Sequence, residues 1–410
     1  MEHSFADTSM AFARPLYVMA KPAGAHCNMR CRYCYYMEKK ILDKSTGYMS
    51  DGTLREFVRQ FLESQTAPEV LFTWHGGEPL LRPLDFYHKA MAWQRAYAGG
   101  RHVDNCIQTN GTLLTDDWCR FLHDHHWLVG LSIDGPVTLH DPFRHMADGS
   151  GSYSRVMRAV EMLNRHEVEW NAMAVVNAKT ARHPLEFYRF FRDLDCHFLQ
   201  FTPIVERIHR HSDGRMLAAA DETGEGMTDE SVTPADWGEF LCQLFDEWVR
   251  KDVGDLFVQI FDATLANWCG VAPGVCSLAR YCGQAGVVEA NGDVYSCDHF
   301  VFPQYRLGNI HSQTITEMMY GERQQRFGLS KFDSLPHQCR ACRFLFACHG
   351  ECPKNRFLMT ADGEPGLNYL CEGYHRFFSH VAPYMDFMRG EWEAGRAPAN
   401  VMAAVADGRL

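Results

Sequence analysis

The chain has 410 residues, 46% of them hydrophobic and 22% charged, which is ordinary for a globular protein and too long for one small core. Its formal net charge of −11 argues against nucleic acid or an anionic membrane surface as a partner. The first residues hold no basic stretch followed by an apolar core, and no run of about eighteen apolar residues occurs, so neither a secretory signal nor a membrane span is expected and the cytoplasm is the expected compartment. Sixteen cysteines in that reducing compartment point to metal or redox chemistry rather than a disulfide framework.

In chain order, residues 1–14 read as an N-terminal tail. Short β-rich runs at Leu16–Ala20, Val70–Trp74, Asn105–Thr109, Val129–Ile133, Trp170–Val176 and Phe198–Thr202 then alternate with amphipathic stretches such as Thr115–His126 and Tyr153–His166. Six such repeats predict an α/β parallel sheet curled into a partial barrel over 15–206, with ligands in the loops at the C-terminal strand ends. Asp213–Asp236 holds seven acidic residues against one basic, without periodicity, and reads as a solvated, mobile insertion with no functional role. With linking helices it occupies 207–271. Thr233, Pro234 and Asp236 form a helix-start signature, and Trp237, Phe240, Leu241, Leu244, Phe245 and Trp248 recur behind it at helical spacing as a core face. Residues 272–375 are rich in cysteine and loops and need a staple other than apolar burial. There, Asn291-Gly292 predicts a two-residue hairpin between Val287–Ala290 and Asp293–Ser296, which folds Cys297 back towards Cys282. A helical segment over 376–410 closes the chain.

The segment Cys27-x3-Cys31-x2-Cys34 places three thiolates on the loop after the first strand run. Such a loop holds three irons of a 4Fe–4S cube and leaves the fourth iron open to a small chelating molecule. A zinc site with His26 as fourth ligand, or three unrelated thiols, fits the same spacing. Gly76-Gly77-Glu78-Pro79 follows the second strand run, either as a plain turn or as a ligand-binding motif. Ser132 and Asp134 end the fourth, where a hydroxyl suits a ribose and either residue suits a cap or turn; Arg144, just beyond, is able to clamp a carboxylate bidentately. Cys339-x2-Cys342-x5-Cys348-x3-Cys352, with Cys276, Cys282 and Cys297 upstream and Cys371 downstream, supplies eight thiolates, enough for two sites of four. Tetrathiolate zinc and iron–sulfur clusters both fit them. Asp298 reads as a base or as a hairpin-end residue bonded to backbone, and Tyr36 as a substrate contact or a packed aromatic. The scattered Cys106, Cys119, Cys196, Cys242 and Cys269 read as small buried hydrophobes.

With Tyr33 at the aromatic position of the triad, these motifs together resemble the radical S-adenosylmethionine superfamily, and the downstream cysteines resemble its SPASM subgroup. Leu16-Tyr-Val-Met-Ala-Lys-Pro22, Tyr35-Tyr36, Gln108-Thr-Asn-Gly111, Ser132-Ile-Asp-Gly135 and Ser296-Cys-Asp298-His299 extend the resemblance, over about residues 15–375, to anaerobic sulfatase-maturating enzymes; His75 departs from the glutamine frequent there. The resemblance implies a partial (β/α)6 barrel followed by a small cysteine-rich SPASM domain with a β-hairpin and two cluster sites. It implies three 4Fe–4S clusters: one on Cys27, Cys31 and Cys34, one on Cys276, Cys282, Cys297 and Cys352, and one on Cys339, Cys342, Cys348 and Cys371. It also implies S-adenosyl-L-methionine bound by Tyr33, Gly76, Gly77, Glu78, Ser132, Asp134 and Arg144, with Asp298 as base and Tyr36 positioning substrate. The implied activity oxidises a cysteine or serine in an unfolded or nascent C/S-x-P/A-x-R segment of a sulfatase polypeptide to Cα-formylglycine without dioxygen. An external donor such as flavodoxin or ferredoxin supplies electrons. A SPASM maturase that installs a thioether or other crosslink in a small precursor peptide is the competing expectation.

Overall fold

The computed structural model describes residues 16–38, 47–219 and 222–410; the expected N-terminal tail lies outside them. Strands β1 (Tyr17–Ala20), β2 (Glu69–Trp74), β3 (His102–Thr109), β4 (Leu128–Ser132), β5 (Trp170–Val176) and β6 (Phe198–Pro203) lie side by side in chain order, every neighbouring pair parallel. Their apolar residues Val18, Phe72, Trp74, Leu131 and Val176 have no exposed surface, as expected where helices cover a parallel sheet. Helices α1 (Asp51–Glu63), α2 (Leu84–Tyr97), α3 (Asp116–Asp124), α4 (Tyr153–Arg165) and α5 (Pro184–Asp193) supply that cover. α1 and α3 start where a hydroxyl satisfies an otherwise unpaired amide, Ser50 accepting from Thr53 and Thr115 from Trp118. The six sequence-read strand runs are all present. β3 begins three residues earlier than its apolar content suggests, because His102–Asp104 pair with Glu69–Leu71 along the backbone whatever their polarity.

The stretch read as a solvated insertion is tied to the rest of the fold at several points. β7 (Arg207–Ile208) pairs antiparallel with β8 (Gly226–Met227), and Leu217 bridges to Ile208. The buried Arg207 guanidinium donates to the carbonyls of Ala219 (2.7 Å) and Glu222, while the Glu38 carboxylate accepts from the amides of Met216 (2.7 Å) and Leu217 (3.0 Å). Composition signals solvation here, but two side chains from outside the acidic run satisfy its backbone. Next, α6 (Pro234–Lys251) is capped by the Thr233 hydroxyl, and its stripe from Trp237 to Trp248 is buried as expected. β9 (Phe257–Val258) and α7 (Gln259–Trp268) complete this linking part.

In the cysteine-rich part, β10 (Ala285–Val288) and β11 (Asp293–Tyr295) form the expected hairpin, with β12 (Arg306–Asn309) beside it. The turn is longer than the two residues Asn-Gly suggests. The Glu289 amide donates to the Asp293 carbonyl, so Ala290–Gly292 form a three-residue turn that Gly292 closes with a left-handed φ of +89°. β10 also pairs in parallel with β1, which produces one ten-stranded sheet in the order β12-β11-β10-β1-β2-β3-β4-β5-β6-β9. The hairpin is therefore a continuation of the barrel sheet. Helix α8 (Glu322–Asp333), β13 (Leu358–Met359), β14 (Pro365–Leu367) and α9 (Cys371–Glu393) follow, α9 packing along α6 through Trp237–Tyr374 and Phe245–Phe377 ring contacts. No described helix is long and apolar enough to cross a membrane.

Candidate active site

The loop leaving β1 carries Cys27, Cys31 and Cys34 and lies against two others. The glycine-rich turn after β2 binds it by backbone: Gly77 donates to Gly24 (2.8 Å) and Glu78 to His26 (2.7 Å). That approach requires glycine, since a Cβ on Gly77 would stand 2.1 Å from the His26 carbonyl oxygen, and Gly76 sits at φ +117°. On the other side, Arg30 and Arg32 donate to the carbonyls of His145 and Phe143, which draws the segment holding Arg144 onto the triad.

The residues read from sequence converge here. Arg144 donates to the Tyr33 hydroxyl (2.9 Å) and lies 3.9 Å from the Asp134 carboxylate, to which Tyr33 also donates. Burial opposes the charge of Arg144, but Tyr33, Cys31 and Asp134 around it hold it firmly protonated. Asp134 also accepts from the Val175 amide (2.9 Å), so it ties the triad loop to β4 and β5. Ser132 stands at the end of β4 with its hydroxyl accepting from Gln108 (2.8 Å). Glu78 is fully buried and accepts from the Leu80 and Asn110 amides and the Thr109 hydroxyl, yet burial pushes it up to about 7. The Cys27 sulfur accepts from the Met29 amide (3.3 Å) and the Asn110 side chain (3.7 Å).

A second cluster adjoins the first. The Asp298 carboxylate takes the Lys21 ammonium on Oδ1 (2.5 Å) and the hydroxyls of Tyr35 (2.6 Å) and Tyr36 (2.7 Å) on Oδ2. Lys21, wholly buried, also pairs with Glu289 at 2.8 Å and lies over the Tyr36 ring; Tyr36 in turn reaches His75 at 3.3 Å. Burial pushes both tyrosine hydroxyls well above their usual range. Sequence reasoning found Asp298 and Tyr36 but missed Lys21, Glu289 and Tyr35, although Lys21 and Tyr35 stand inside segments that carry the resemblance. An open cleft adjoins this cluster, lined by Tyr35, His299, Phe302 and Lys354 together with Val205, Arg207, Leu217 and Ala218. The acidic insertion thus builds a cleft wall.

The eight downstream cysteines fall into two neighbourhoods. Burial raises the thiol of Cys282 to about 11 and lifts those of Cys297 and Cys352, and Cys276, Cys282, Cys297 and Cys352 add to one another's shifts through space. Likewise, burial raises Cys348 to about 12 and Cys371 to about 11, with Cys339, Cys342, Cys348 and Cys371 as mutual electrostatic neighbours. Cys352, which ends the four-cysteine run, is influenced by the upstream thiols Cys276, Cys282 and Cys297. Within the described residues, no three His, Cys, Asp or Glu close tightly enough to hold a single metal ion. Of the scattered cysteines, Cys119, Cys196 and Cys242 are buried, while Cys106 and Cys269 are half-buried.

A parallel sheet with a three-thiol loop at the end of β1, bound to a glycine-rich turn after β2, defines the radical S-adenosylmethionine class. Residues 22–191 match the radical SAM superfamily and 276–343 match the SPASM iron–sulfur cluster-binding domain. The chain is 61% identical, over 99% of both sequences, to a serine-type anaerobic sulfatase-maturating enzyme of Bacteroides thetaiotaomicron. It is 33% identical to a cysteine-type enzyme of Clostridium perfringens, over 90% of this chain and 97% of that one. The solved structure of native anSMEcpe with bound AdoMet and Cp18Cys peptide is 32% identical, with a TM-score of 0.80 and coverage of 92% of this chain and 100% of that one. The chain belongs to the anaerobic sulfatase-maturating enzymes.

Proposed function

We propose that this chain oxidises a serine of a sulfatase polypeptide to Cα-formylglycine without dioxygen, acting in the cytoplasm on an unfolded or nascent segment of the form C/S-x-P/A-x-R. The observation that carries the reading is Asp298, a carboxylate fixed by Lys21, Tyr35 and Tyr36 where the cysteine-rich part meets the barrel. The serine preference rests on the 61% identical serine-type relative. We assign Cys27, Cys31 and Cys34 to one 4Fe–4S cluster, Cys276, Cys282, Cys297 and Cys352 to a second, and Cys339, Cys342, Cys348 and Cys371 to a third. S-adenosyl-L-methionine is assigned to Tyr33, Gly76, Gly77, Glu78, Ser132, Asp134 and Arg144. The residues fit these groups. Each metal set consists of thiols alone, and Arg144 Nε is buried without a hydrogen-bond partner, which leaves a guanidinium donor for an incoming carboxylate.

When bound, these groups supply a hydrogen-atom acceptor for the serine Cβ and an acceptor for the surplus electron, with flavodoxin or ferredoxin as external donor. Asp298 takes the proton of the substrate hydroxyl at its carboxylate, held still by the groups on both oxygens. Tyr36 fixes that carboxylate from the barrel side, and the cleft beyond Tyr35 receives the residues flanking the target serine. The test is anaerobic incubation of reconstituted protein with S-adenosylmethionine, a reductant, and serine- and cysteine-containing sulfatase peptides. Mass spectrometry should show loss of two hydrogens at the serine. A crosslinked peptide without formylglycine would overturn the reading and favour a crosslinking maturase, and so would an unmodified peptide beside accumulating deoxyadenosine.

A further inference from the structure

Lys331, on α8, has no exposed surface, yet its ammonium meets no carboxylate within ion-pair distance among the described residues. It donates instead to the carbonyls of Cys276 (2.6 Å) and Ser277 (2.8 Å). Glu351, the buried acid of this region, acts on Lys331 only through space, outside ion-pair distance, and accepts from Asn355 (3.1 Å) and Asn368 (2.7 Å). Burying an ammonium without an ion-paired counter-charge is costly, and an anion held closer than Glu351 offsets that cost. Helix α8 touches both early cysteines of one set, Lys331 holding the Cys276 carbonyl and Gly328, one turn before it, accepting from the Cys282 amide (3.1 Å), and that set reaches Asp298 through Cys297. Another cation of the region, Arg356, donates to the carbonyls of His349, Gly350 and Glu351, on the segment that joins Cys348 of one set to Cys352 of the other. Lys331 distinguishes one set from the other.

We propose that Lys331 is the built-in counter-charge of the cluster on Cys276, Cys282, Cys297 and Cys352, and that it raises this cluster's reduction potential to suit it as first acceptor of the substrate's electron. The inference rests on the cluster assignment above. In the step it serves, the substrate Cβ radical gives its hydroxyl proton to Asp298 and one electron to the cluster, and its C–O bond becomes C=O. A buried positive charge stabilises the more negative, reduced form of a thiolate-bound cluster.

The test is a redox titration of the reconstituted full-length protein followed by electron paramagnetic resonance, with the triad cluster recognised by its response to S-adenosylmethionine. Lys331→Met should shift one auxiliary cluster to a more negative midpoint and leave the other nearly in place, while Lys331→Arg stays close to wild type. Lys331→Gln, which keeps a donor for the two carbonyls, carries the same test should the methionine variant lose iron. Unmoved midpoints at full iron overturn the proposal, as does loss of the cluster from both neutral variants, which would make Lys331 a structural clamp only. A wild-type protein that holds only one cluster's iron would instead overturn the cluster assignment itself.

Discussion

Lys21 is held between two carboxylates, Asp298 at 2.5 Å and Glu289 at 2.8 Å, with the Tyr36 ring beneath it and no solvent contact. Burial works against its charge, and the two acids outweigh that effect and keep it protonated. Removing one partner of a buried pair strands the other, which typically costs ~3–5 kcal/mol. Lys21→Met strands two acids, so a drop in stability of about that size is expected in chemical denaturation, with loss of formylglycine formation, whereas Lys21→Arg should recover part of both. A Lys21→Met protein as stable as wild type would remove the pair from the account. Nothing in the sequence marks this lysine as buried, because its partners lie 268 and 277 positions away. The triad and the glycine-rich turn were legible for the opposite reason: each packs its chemistry into a few consecutive residues.

Among the elements, α7 carries a polar residue that its packing does not favour. α7 packs on α9 through Phe261 and Phe377, whose rings are 5.8 Å apart, and Asp262, next in the chain to Phe261, is half-buried. Burial pushes Asp262 up to about 7, well above the ~3.9 of an unfolded aspartate. Between those values the folded chain keeps a proton that the unfolded chain has lost, so this residue makes stability fall as pH rises through the window and then level off. Asp262→Asn should abolish that decline. Urea midpoints at about pH 4 and about pH 8 should be alike for the two proteins at the lower value and favour the variant at the higher. Equal midpoints at both would mean that the carboxylate is solvated. Element boundaries themselves followed apolar content closely, except where another signal competed. β3 runs on by backbone pairing, and the Asn-Gly turn gained a residue because Gly292 also closes a three-residue loop. The acidic insertion misled most, since composition says nothing of Arg207 and Glu38, which hold its carbonyls and amides from elsewhere.

At the scale of the whole molecule, the decisive feature is the parallel pairing of β1 with β10. It places Lys21, at the end of β1, beside Glu289, at the end of β10, and the hairpin returns Asp298 to the same place. The eight-cysteine pattern announced a second metal-binding part, but no sequence period showed that its hairpin would extend the barrel sheet. Because of that extension, Asp298, in the short helical turn just past β11, stands next to Cys297 and in contact with Tyr35 and Tyr36 of the triad loop.

That placement makes Asp298 the residue on which substrate oxidation turns, and one preparation of Asp298→Asn tests its role. The substitution keeps the shape and some hydrogen bonding of the side chain but removes the basic carboxylate. Cofactor cleavage needs no base for the substrate hydroxyl, so deoxyadenosine and full iron content should persist while formylglycine yield falls by about 10²-fold or more. Full iron with wild-type formylglycine yield would contradict the account, and loss of iron from that preparation would reduce Asp298 to a support for Cys297.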